Sequence, residues 1–230
     1  MTKNYDEFCN ALLAAGFSMA GGGDDGVFGL IAHNWNEELP DSPLRWHSGD
    51  PATDPWEWRM RVLEERDDIA YGKVFFRKNG FITARWYPYF LAVRRAGMTF
   101  EEAYESGKVS HFAKRIYETL ACGGLPTEAI KQASGFAAAD KSKFDAALTE
   151  LQMKMYITVK GRQQKVGQSG EEYGWPSAVF CTTEDFFANS DVFCQAGQLC
   201  PDEATKAIAD QVLTLNPSAN TKKIMKFIKG

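Results

Sequence analysis

The sequence predicts a mixed α+β fold, and three observations support this prediction. First, 44% of the 230 residues are apolar and 13% are aromatic, which is enough to build a substantial core. Second, two apolar runs flank an Asn-Gly pair, the strongest short signal for a β-hairpin. Third, residues 109–181 show three helical patterns followed by two strand patterns, the element order of a winged helix-turn-helix. We therefore expect a winged-helix unit packed on an aromatic-rich N-terminal half with a hairpin.

The patterns divide the chain into three segments that we expect to form one globule. These are an aromatic-rich α+β half over residues 1–100, a winged-helix unit over 101–190 and a C-terminal helical extension over 191–230. In the first segment, apolar side chains at helical spacing predict a helix that ends near Gly16. Its apolar positions are Tyr5, Phe8, Leu12 and Leu13.

Residues 40–60 contain four of the nine prolines and three of the six tryptophans. Because proline also restrains the residue before it, this composition predicts an extended segment with several turns. From Trp56 to Val62, apolar and charged side chains alternate, which predicts a strand.

The predicted hairpin spans residues 69–83 and turns at Asn79-Gly80. A helix is predicted to follow from about Arg85 to Ala96. Arg94 and Arg95 lie in its last turn, where positive charge is favourable.

The second segment begins with a helix whose apolar face ends at Leu120, before Gly123-Gly124. A second helix is predicted from Pro126 to Gly135, with Thr127 as its N-cap. A third begins after Asp140 and places its apolar residues on one face. These apolar residues are Phe144, Ala147, Leu148, Leu151 and Met155.

Alternating apolar residues predict a strand that begins near Met155, and a second apolar run predicts another over 177–181. The polar stretch Gly161–Gly174 between them is predicted to be the loop called the wing. Three further helices are predicted, one starting at Thr182–Asp185, one over about 202–213 and one over about 221–229.

Composition excludes several classes of protein. The 26 basic and 30 acidic residues give a formal net charge of -4, which excludes a uniformly basic protein that coats nucleic acid. No run of 18 apolar residues occurs, and Asp6 and Glu7 argue against a signal peptide.

Five cysteines without a C-x-x-C pair are typical of reduced thiols, so we expect a cytoplasmic protein. The three histidines have no metal-ligand spacing, and neither a metal nor a cofactor is predicted.

A locally basic stretch provides the main candidate interface. No acidic residue occurs between Leu151 and Gly170, although the chain as a whole is acidic. Phosphate contact is the functional interpretation, and solvation of exposed faces is the alternative. The candidate nucleic-acid-binding residues are Lys141, Lys143, Lys154, Lys160, Arg162 and Lys165. The same two interpretations apply to the C-terminal residues Lys222, Lys223, Lys226 and Lys229.

The segment around residues 46–59 provides a second candidate site. Aromatic walls with a few charges are typical of a ligand pocket. The candidate pocket residues are Trp46, Trp56, Trp58, Tyr71 and Lys73, and the candidate catalytic residues are Asp54, Glu57 and Arg59. The alternative is structural, since Asp50 and Asp54 precede prolines and are suited to hold turns, while Glu57 and Arg59 would pair on an exposed strand face.

Three short runs resemble a known family. Gly49-Asp50-Pro51 with Asp54–Arg59, then Ile69–Lys73 and Leu151-Gln152-Met153, resemble bacterial AlkZ-related proteins. These are small relatives of the AlkZ (YcaQ-like) winged-helix DNA glycosylases. The resemblance implies a winged helix that binds double-stranded DNA, intact or damaged.

In the full glycosylases, a Gln-apolar-Gln motif positions the water that releases an alkylated or crosslinked base. This chain has eight glutamines, and no two of them stand two positions apart. It is also short for the several winged helices and the barrel of those enzymes. We therefore expect DNA binding without glycosylase activity, and no catalytic residue is transferred. The alternatives are a minimal DNA-repair hydrolase that acts on a damaged base and a winged helix used for protein contacts.

Overall fold

The computed structural model describes residues 4–21, 23–31, 43–166 and 170–230. By its internal contacts the chain divides into two compact units, residues 1–97 with 190–230 and residues 98–189. Both units combine helices with antiparallel strands, so the predicted α+β class is confirmed.

The first unit opens with helix α1 (Tyr5–Ala15) and strand β1 (Phe17–Met19). The Asn4 side chain accepts the Glu7 amide at 2.9 Å and caps the start of α1. Gly16 ends the helix in the left-handed region, as predicted. A Cβ at Gly16 would lie 2.1 Å from Trp86 Cδ1, so the position also requires glycine for space.

The predicted strand at Trp56–Val62 is wrong, because this segment is helix α2 (Pro55–Glu65). Asp54 caps its N-terminus and Pro55 occupies the first turn, where proline is tolerated. Trp58 and Val62, four residues apart, are both fully buried. The helical start signal Asp-Pro therefore outweighs the short alternation that suggested a strand.

The predicted hairpin is present as β2 (Ile69–Phe75) and β3 (Lys78–Thr83), and β3 also pairs with β1. Its turn is not at Asn79-Gly80. Phe75 pairs with Lys78, so the two turn residues are Phe76 and Arg77, both with positive φ (50° and 62°).

Gly80 lies within β3 instead of the turn, and its role is to allow close packing. A Cβ there would lie 2.4 Å from Phe75 Cδ2 and 3.0 Å from the Ser18 carbonyl oxygen. Glycine is thus needed at position 80 because neighbouring atoms pack closely inside the sheet, not because of the turn.

Helix α3 (Tyr87–Arg95) follows, within one or two residues of its predicted bounds. Phe90 lies 5.5 Å from both Phe17 and Phe75, measured between ring centroids. These rings form the centre of the aromatic core predicted for this part of the chain.

The second unit begins with α4 (Phe100–Glu105), which the sequence analysis missed although Thr99 and Glu102 form a capping box at its start. Next come α5 (His111–Thr119), the two-residue strand β4 (Leu125–Pro126), α6 (Thr127–Ala133) and, after a short 3₁₀ turn, α7 (Lys141–Met153). Thr127 is not the N-cap of α6 as predicted. Pro126 holds that position, and the Thr127 hydroxyl donates to the Ala178 carbonyl at 3.1 Å.

The predicted wing loop is mostly strand. Strand β5 (Ile157–Val166) pairs with β6 (Glu172–Thr182), and β6 also pairs with β4. Residues 167–169 of the predicted loop lie outside the described residues, as do residues 40–42 of the predicted extended segment.

The unit ends in α8 (Thr183–Phe186), capped by Thr182 as predicted. The C-terminal residues then form α9 (Val192–Gln198), which was missed, α10 (Pro201–Leu215) and α11 (Thr221–Lys229), which were predicted. All three belong to the first unit. All five cysteines are free thiols, and no helix in the described part of the chain is long and apolar enough to cross a membrane.

Candidate nucleic-acid interface

The outer part of the β5–β6 hairpin carries three of the predicted cations. We call its described residues, Lys160–Val166 and Glu172–Ser177, the β5–β6 arm. Lys160, Arg162 and Lys165 all lie on its first strand, and Lys160 and Arg162 are exposed. All three belong to strand β5, not to a loop. Arg162 and Lys165 have cross-strand partners on β6, whereas Lys160 lies at an irregularity of the register between Val159 and Gly161.

The register of the arm distributes these cations over both of its surfaces. Lys165 lies directly opposite Tyr173, and Arg162 lies opposite Ala178. Because side chains alternate along a strand, residues 162 and 165 project from opposite faces of the ribbon. A two-stranded ribbon of this kind is narrow enough for the major groove of DNA.

Large apolar side chains are exposed on the same arm, which sequence reasoning missed. Trp175 is 79% exposed, Val166 60% and Tyr173 58%. Exposed apolar residues close together on a hairpin are typical of a surface that contacts a partner. The sequence signal that could have indicated this exposure is the Trp175-Pro176 pair, which stands in a polar, glycine-containing stretch close to the cations.

A bulge in β6 presents Trp175. Between the pairs Gln163–Ser177 and Lys165–Tyr173, residues 174–176 of β6 face the single residue Gln164. The Gln164 side-chain amide donates to the Gly174 carbonyl at 3.1 Å. The indole therefore projects from an irregularity that has its own stabilising contact.

The other predicted cations lie elsewhere in the unit. Lys141 and Lys143 are exposed in the first turn of α7, whereas Lys154 lies at its C-terminal end. A helix of 13 residues is about 20 Å long, so the structure separates these two groups. The six candidates are thus not one cluster.

Two of these lysines have nearby carboxylates. Lys143 pairs with Asp140 at 2.9 Å, and Lys154 lies 3.8 Å from Glu150. Glu150 also accepts hydrogen bonds from the backbone and hydroxyl of Ser110, which ties α7 to the start of α5. Lys143 and Lys154 therefore already interact with carboxylates of their own unit.

Acidic residues at the start of β6 reduce the positive charge of that strand. Glu171 and Glu172 are exposed, and Glu172 lies opposite Val166. The positive charge of this region is consequently concentrated on β5, with β6 supplying the aromatic side chains.

The second candidate site, around residues 46–59, has a different character. Asp54 is fully buried, and its carboxylate accepts three backbone amides. The donors are Trp56 at 2.8 Å, Gly49 at 2.9 Å and His47 at 3.1 Å. These bonds cap α2 and close the preceding turn, so the geometry favours the structural interpretation of this aspartate.

Asp50 also holds a turn. Its carboxylate accepts the Ala52 amide at 2.9 Å and the Thr53 hydroxyl at 2.7 Å. The Ala52 amide and then the Thr53 hydroxyl hold the pKa of this carboxyl below its usual value.

Two of the predicted pocket residues belong to the core. The Trp58 ring is fully buried, stacks on Phe8 with centroids 5.5 Å apart and donates its indole N–H to the Pro51 carbonyl at 3.0 Å. Tyr71 is 4% exposed. Burial raises the pKa of the Tyr71 phenol, and the neighbouring Arg59 opposes this rise.

Trp56, Trp46 and Lys73 lie nearer the surface. The Arg59 guanidinium covers the Trp56 ring, 3.5 Å from its centroid, and its Nε donates to the Trp56 carbonyl at 2.8 Å. His47 lies 4.9 Å from the same ring, between centroids. Glu57 is partly exposed on α2, and Lys73 is exposed on β2. Arg59 is thus already engaged by Trp56, and the predicted strand-face pairing with Glu57 does not apply to a helix.

Among the described residues, no group of three or more His, Cys, Asp or Glu side chains is arranged to hold a metal ion.

The chain was compared with protein families, curated proteins and solved structures. The family model described as "AlkZ related" matches residues 2–229, which is nearly the whole chain. No curated protein and no solved structure matches significantly.

Proposed function

The chain belongs to the AlkZ-related family, and from that premise we propose that it is a cytoplasmic protein that binds double-stranded DNA without excising bases. The observation that carries this proposal is the β5–β6 arm, on which cations and exposed aromatic rings occur together. Lys165 lies opposite Tyr173, and Trp175 is 79% exposed on the same ribbon.

The second unit supports the proposal through its element order. α5, β4, α6, α7, β5 and β6 follow one another in the order of a winged helix, and β4 pairs with β6 beside β5. In this interpretation α7 is the recognition helix, and the β5–β6 arm is the wing. Lys141 and Lys143 lie at the helix end that a recognition helix directs toward base edges.

The cations of the arm would contact backbone phosphates. Lys160, Arg162 and Lys165 carry flexible charged ends, and lysine and arginine contacts to phosphate provide affinity without reading sequence. Trp175 and Tyr173 would add contact with sugars or stack on an accessible base, which is tolerant of sequence. We therefore expect salt-dependent affinity with little sequence preference.

Catalysis is not part of the proposal. The paired glutamines that the resemblance implies for base excision are missing from the sequence. The best-placed carboxylate of the 46–59 segment, Asp54, is buried and accepts three amides, so it is poorly suited to activate water. The free cysteines are in keeping with the reducing cytoplasm.

A binding screen tests this proposal. Purified protein is titrated into labelled intact duplex, alkylated duplex and single strands of the same sequence, and both mobility shift and base release are recorded. We expect the two duplexes to bind alike, single strands to bind more weakly, and no base to be released. Release of the alkylated base by the wild-type protein would overturn the non-enzymatic assignment.

A charge-matched pair of variants assigns the binding to the arm. K160Q/R162Q/K165Q removes one arginine and two lysines from the arm. R85Q/K108Q/K206Q removes the same types from exposed positions elsewhere. We expect weaker binding to every duplex for the first and wild-type binding for the second. Equal losses in the two would show that net charge, not the arm, determines affinity, and no duplex binding by the wild type would favour a protein partner for the exposed patch.

A further inference from the structure

Helix α11 presents a row of lysines on the first unit, well separated in sequence from the β5–β6 arm. Lys222, Lys226 and Lys229 recur at four- and three-residue steps and are exposed, so they share one face. We call them the α11 lysine row. Ile224, Phe227 and Ile228 on the opposite side are no more than 2% exposed.

The helix dipole explains only part of this arrangement. Lys226 and Lys229 lie in the last turn, where positive charge is favourable. Lys222 and Lys223 lie in the first turn, which has no acidic residue and where positive charge is unfavourable. Lys223 packs on the loop at Gly26, since a Cβ on that glycine would lie 2.7 Å from the lysine Nζ. Within the described ranges, no such contact is seen for Lys222.

Among the residues that the structure describes, the charges of the row are balanced neither by acids close in sequence nor by ion pairs. No Asp or Glu occurs after Asp210, so the last 20 residues carry four lysines and no acid. Within the described residues, no salt bridge involves a lysine of α11.

The row is mounted on a rigid support. The Phe227 ring stacks on Phe75 with centroids 3.8 Å apart. The Arg94 guanidinium donates to the carbonyls of Phe227 and Ile228, each at 2.9 Å, and to that of Val74 at 2.7 Å. These contacts fix the C-terminal end of α11 to α3 and β2, so the backbone that carries the lysines is positioned before any ligand binds.

A strained turn places another cation beside the row. The β2–β3 turn uses Phe76 and Arg77 in the left-handed region, where asparagine and glycine are preferred. The Lys226 ammonium lies 5.9 Å from the centroid of the Phe76 ring, and the exposed Arg77 follows Phe76 directly in the chain. A long charged residue that adopts the left-handed conformation at an energetic cost points to a role for its side chain.

The ligand must be anionic, and the burial of α11 decides which kind. A basic amphipathic helix binds a membrane by inserting its apolar face. Here that face is already packed in the core, where Phe227 is fully buried. A lysine row at regular spacing on an exposed helix face suits the repeating phosphates of a nucleic-acid backbone.

We propose that the α11 lysine row and Arg77 form a second surface that contacts the DNA phosphate backbone. This inference rests on the proposed function only for the identity of the ligand. It adds a binding surface on the first unit that is independent of the arm on the second.

A charge-matched pair of double variants tests the proposal. K222Q/K226Q removes two charges from the row, and K108Q/K206Q removes two exposed lysines elsewhere. Affinity for a labelled duplex is measured across a salt series. We expect the logarithmic salt slope of K222Q/K226Q to fall by about 1.8, since each phosphate contact contributes about 0.9, and the affinity at 0.1 M salt to fall by at most about 60-fold.

The control and the arm variant separate the possible outcomes. A wild-type slope in K222Q/K226Q together with a reduced slope in K160Q/R162Q/K165Q would overturn the second surface and leave the proposed function intact. Wild-type protein that binds anionic vesicles but no duplex would overturn both. Equal changes in K222Q/K226Q and K108Q/K206Q would also overturn the second surface.

Arg77 gives an independent readout. Arg77→Gly relieves the left-handed strain and removes the charge, so we expect the melting temperature to rise by about 2 °C while duplex affinity falls several-fold. Arg77→Lys keeps charge and strain, so both values should stay near those of the wild type. Wild-type affinity in Arg77→Gly would exclude this residue from the surface.

Discussion

Lys165 on β5 and Tyr173 on β6 are directly opposite each other, so a cation and an exposed aromatic ring share one face of the ribbon. Trp175 projects from the adjoining bulge, which the Gln164 side chain holds. A surface that combines charge with exposed rings is suited to a ligand with both phosphates and stacked bases. This juxtaposition is the structural basis of the predictions that concern DNA.

Trp175→Ala should weaken DNA binding without destabilising the fold. The side chain is 79% exposed, so its removal costs little packing. Stacking of an accessible base on an aromatic ring contributes about 1–3 kcal/mol, so this value sets an upper limit of roughly 150-fold on the affinity loss for a duplex. Fluorescence anisotropy with a labelled duplex and thermal melting measure the two quantities.

Leu213→Ala is the matched control for this variant, because Leu213 is also a large exposed apolar residue, 43% exposed on α10. We expect wild-type affinity for it. If Trp175→Ala binds DNA as tightly as the wild type, the aromatic part of the interface is wrong.

Asp54→Asn should reduce stability, because Asp54 holds both a turn and the start of α2. Both carboxylate oxygens of Asp54 accept backbone N–H groups in the wild type. Asparagine keeps one of these oxygens and replaces the other with an NH₂ group, which cannot accept the hydrogen bond. We expect a loss of about 1–3 kcal/mol in the free energy of unfolding, measured by urea denaturation. Glu57→Gln, on the partly exposed Glu57, should change it by less than about 1 kcal/mol. Equal stability of the two variants would contradict the structural role of Asp54.

Leu148→Asp should destabilise the second unit strongly. Leu148 is 8% exposed on α7, and an unpaired charge at a buried position costs several kcal/mol, on the order of 3 or more. Ala146→Asp introduces the same charge at an exposed position of the same helix and should be well tolerated. Thermal melting distinguishes them, and a wild-type melting temperature for Leu148→Asp would contradict its burial.

Three of the five thiols should react with iodoacetamide at neutral pH. Cys122, Cys194 and Cys200 are exposed, whereas Cys9 and Cys181 are buried. Burial raises the pKa of Cys9, and it raises the pKa of Cys181 from 9.0 to about 12. Mass spectrometry should therefore find three modified residues in the native protein and five after unfolding. Modification of Cys181 in the native state would contradict its burial.

The same burial gives a pH dependence of stability. Because the folded state keeps the Cys181 proton more tightly than the unfolded state, its contribution is fully present below the ordinary pKa. It is lost as the pH rises from about 9 toward 12. Cys181→Ser should flatten the alkaline part of the stability profile.

Patterns that depend on neighbouring residues were the most useful sequence signals. Thr182 caps α8 through a local hydrogen bond, as predicted, and the same kind of signal at Asn4 and Thr99 was present but not recognised. The apolar face of α7 was predicted correctly at residues 144, 147, 148 and 151, which are all buried, whereas Met155, also buried, lies beyond the end of the helix with φ 62°. Periodicity over a long helix is an averaged signal and tolerates single exceptions.

Predictions failed where distant contacts decide the structure. Gly80 is needed because Phe75 packs against it, which no local turn rule contains. The segment 56–62 has too few residues for alternation to distinguish a strand from a helix. Trp175 was overlooked because exposure depends on the β6 bulge, and tryptophan is usually assigned to the core.

The salt dependence of duplex binding tests DNA recognition by the β5–β6 arm most directly. The dissociation constant of the wild type and of K160Q/R162Q/K165Q is measured over a series of salt concentrations with one labelled duplex. If each of the three cations contacts one phosphate, the logarithmic slope of the variant should be smaller by about 2.7. Wild-type binding with an identical slope in the variant would contradict the assignment of the arm as the DNA interface.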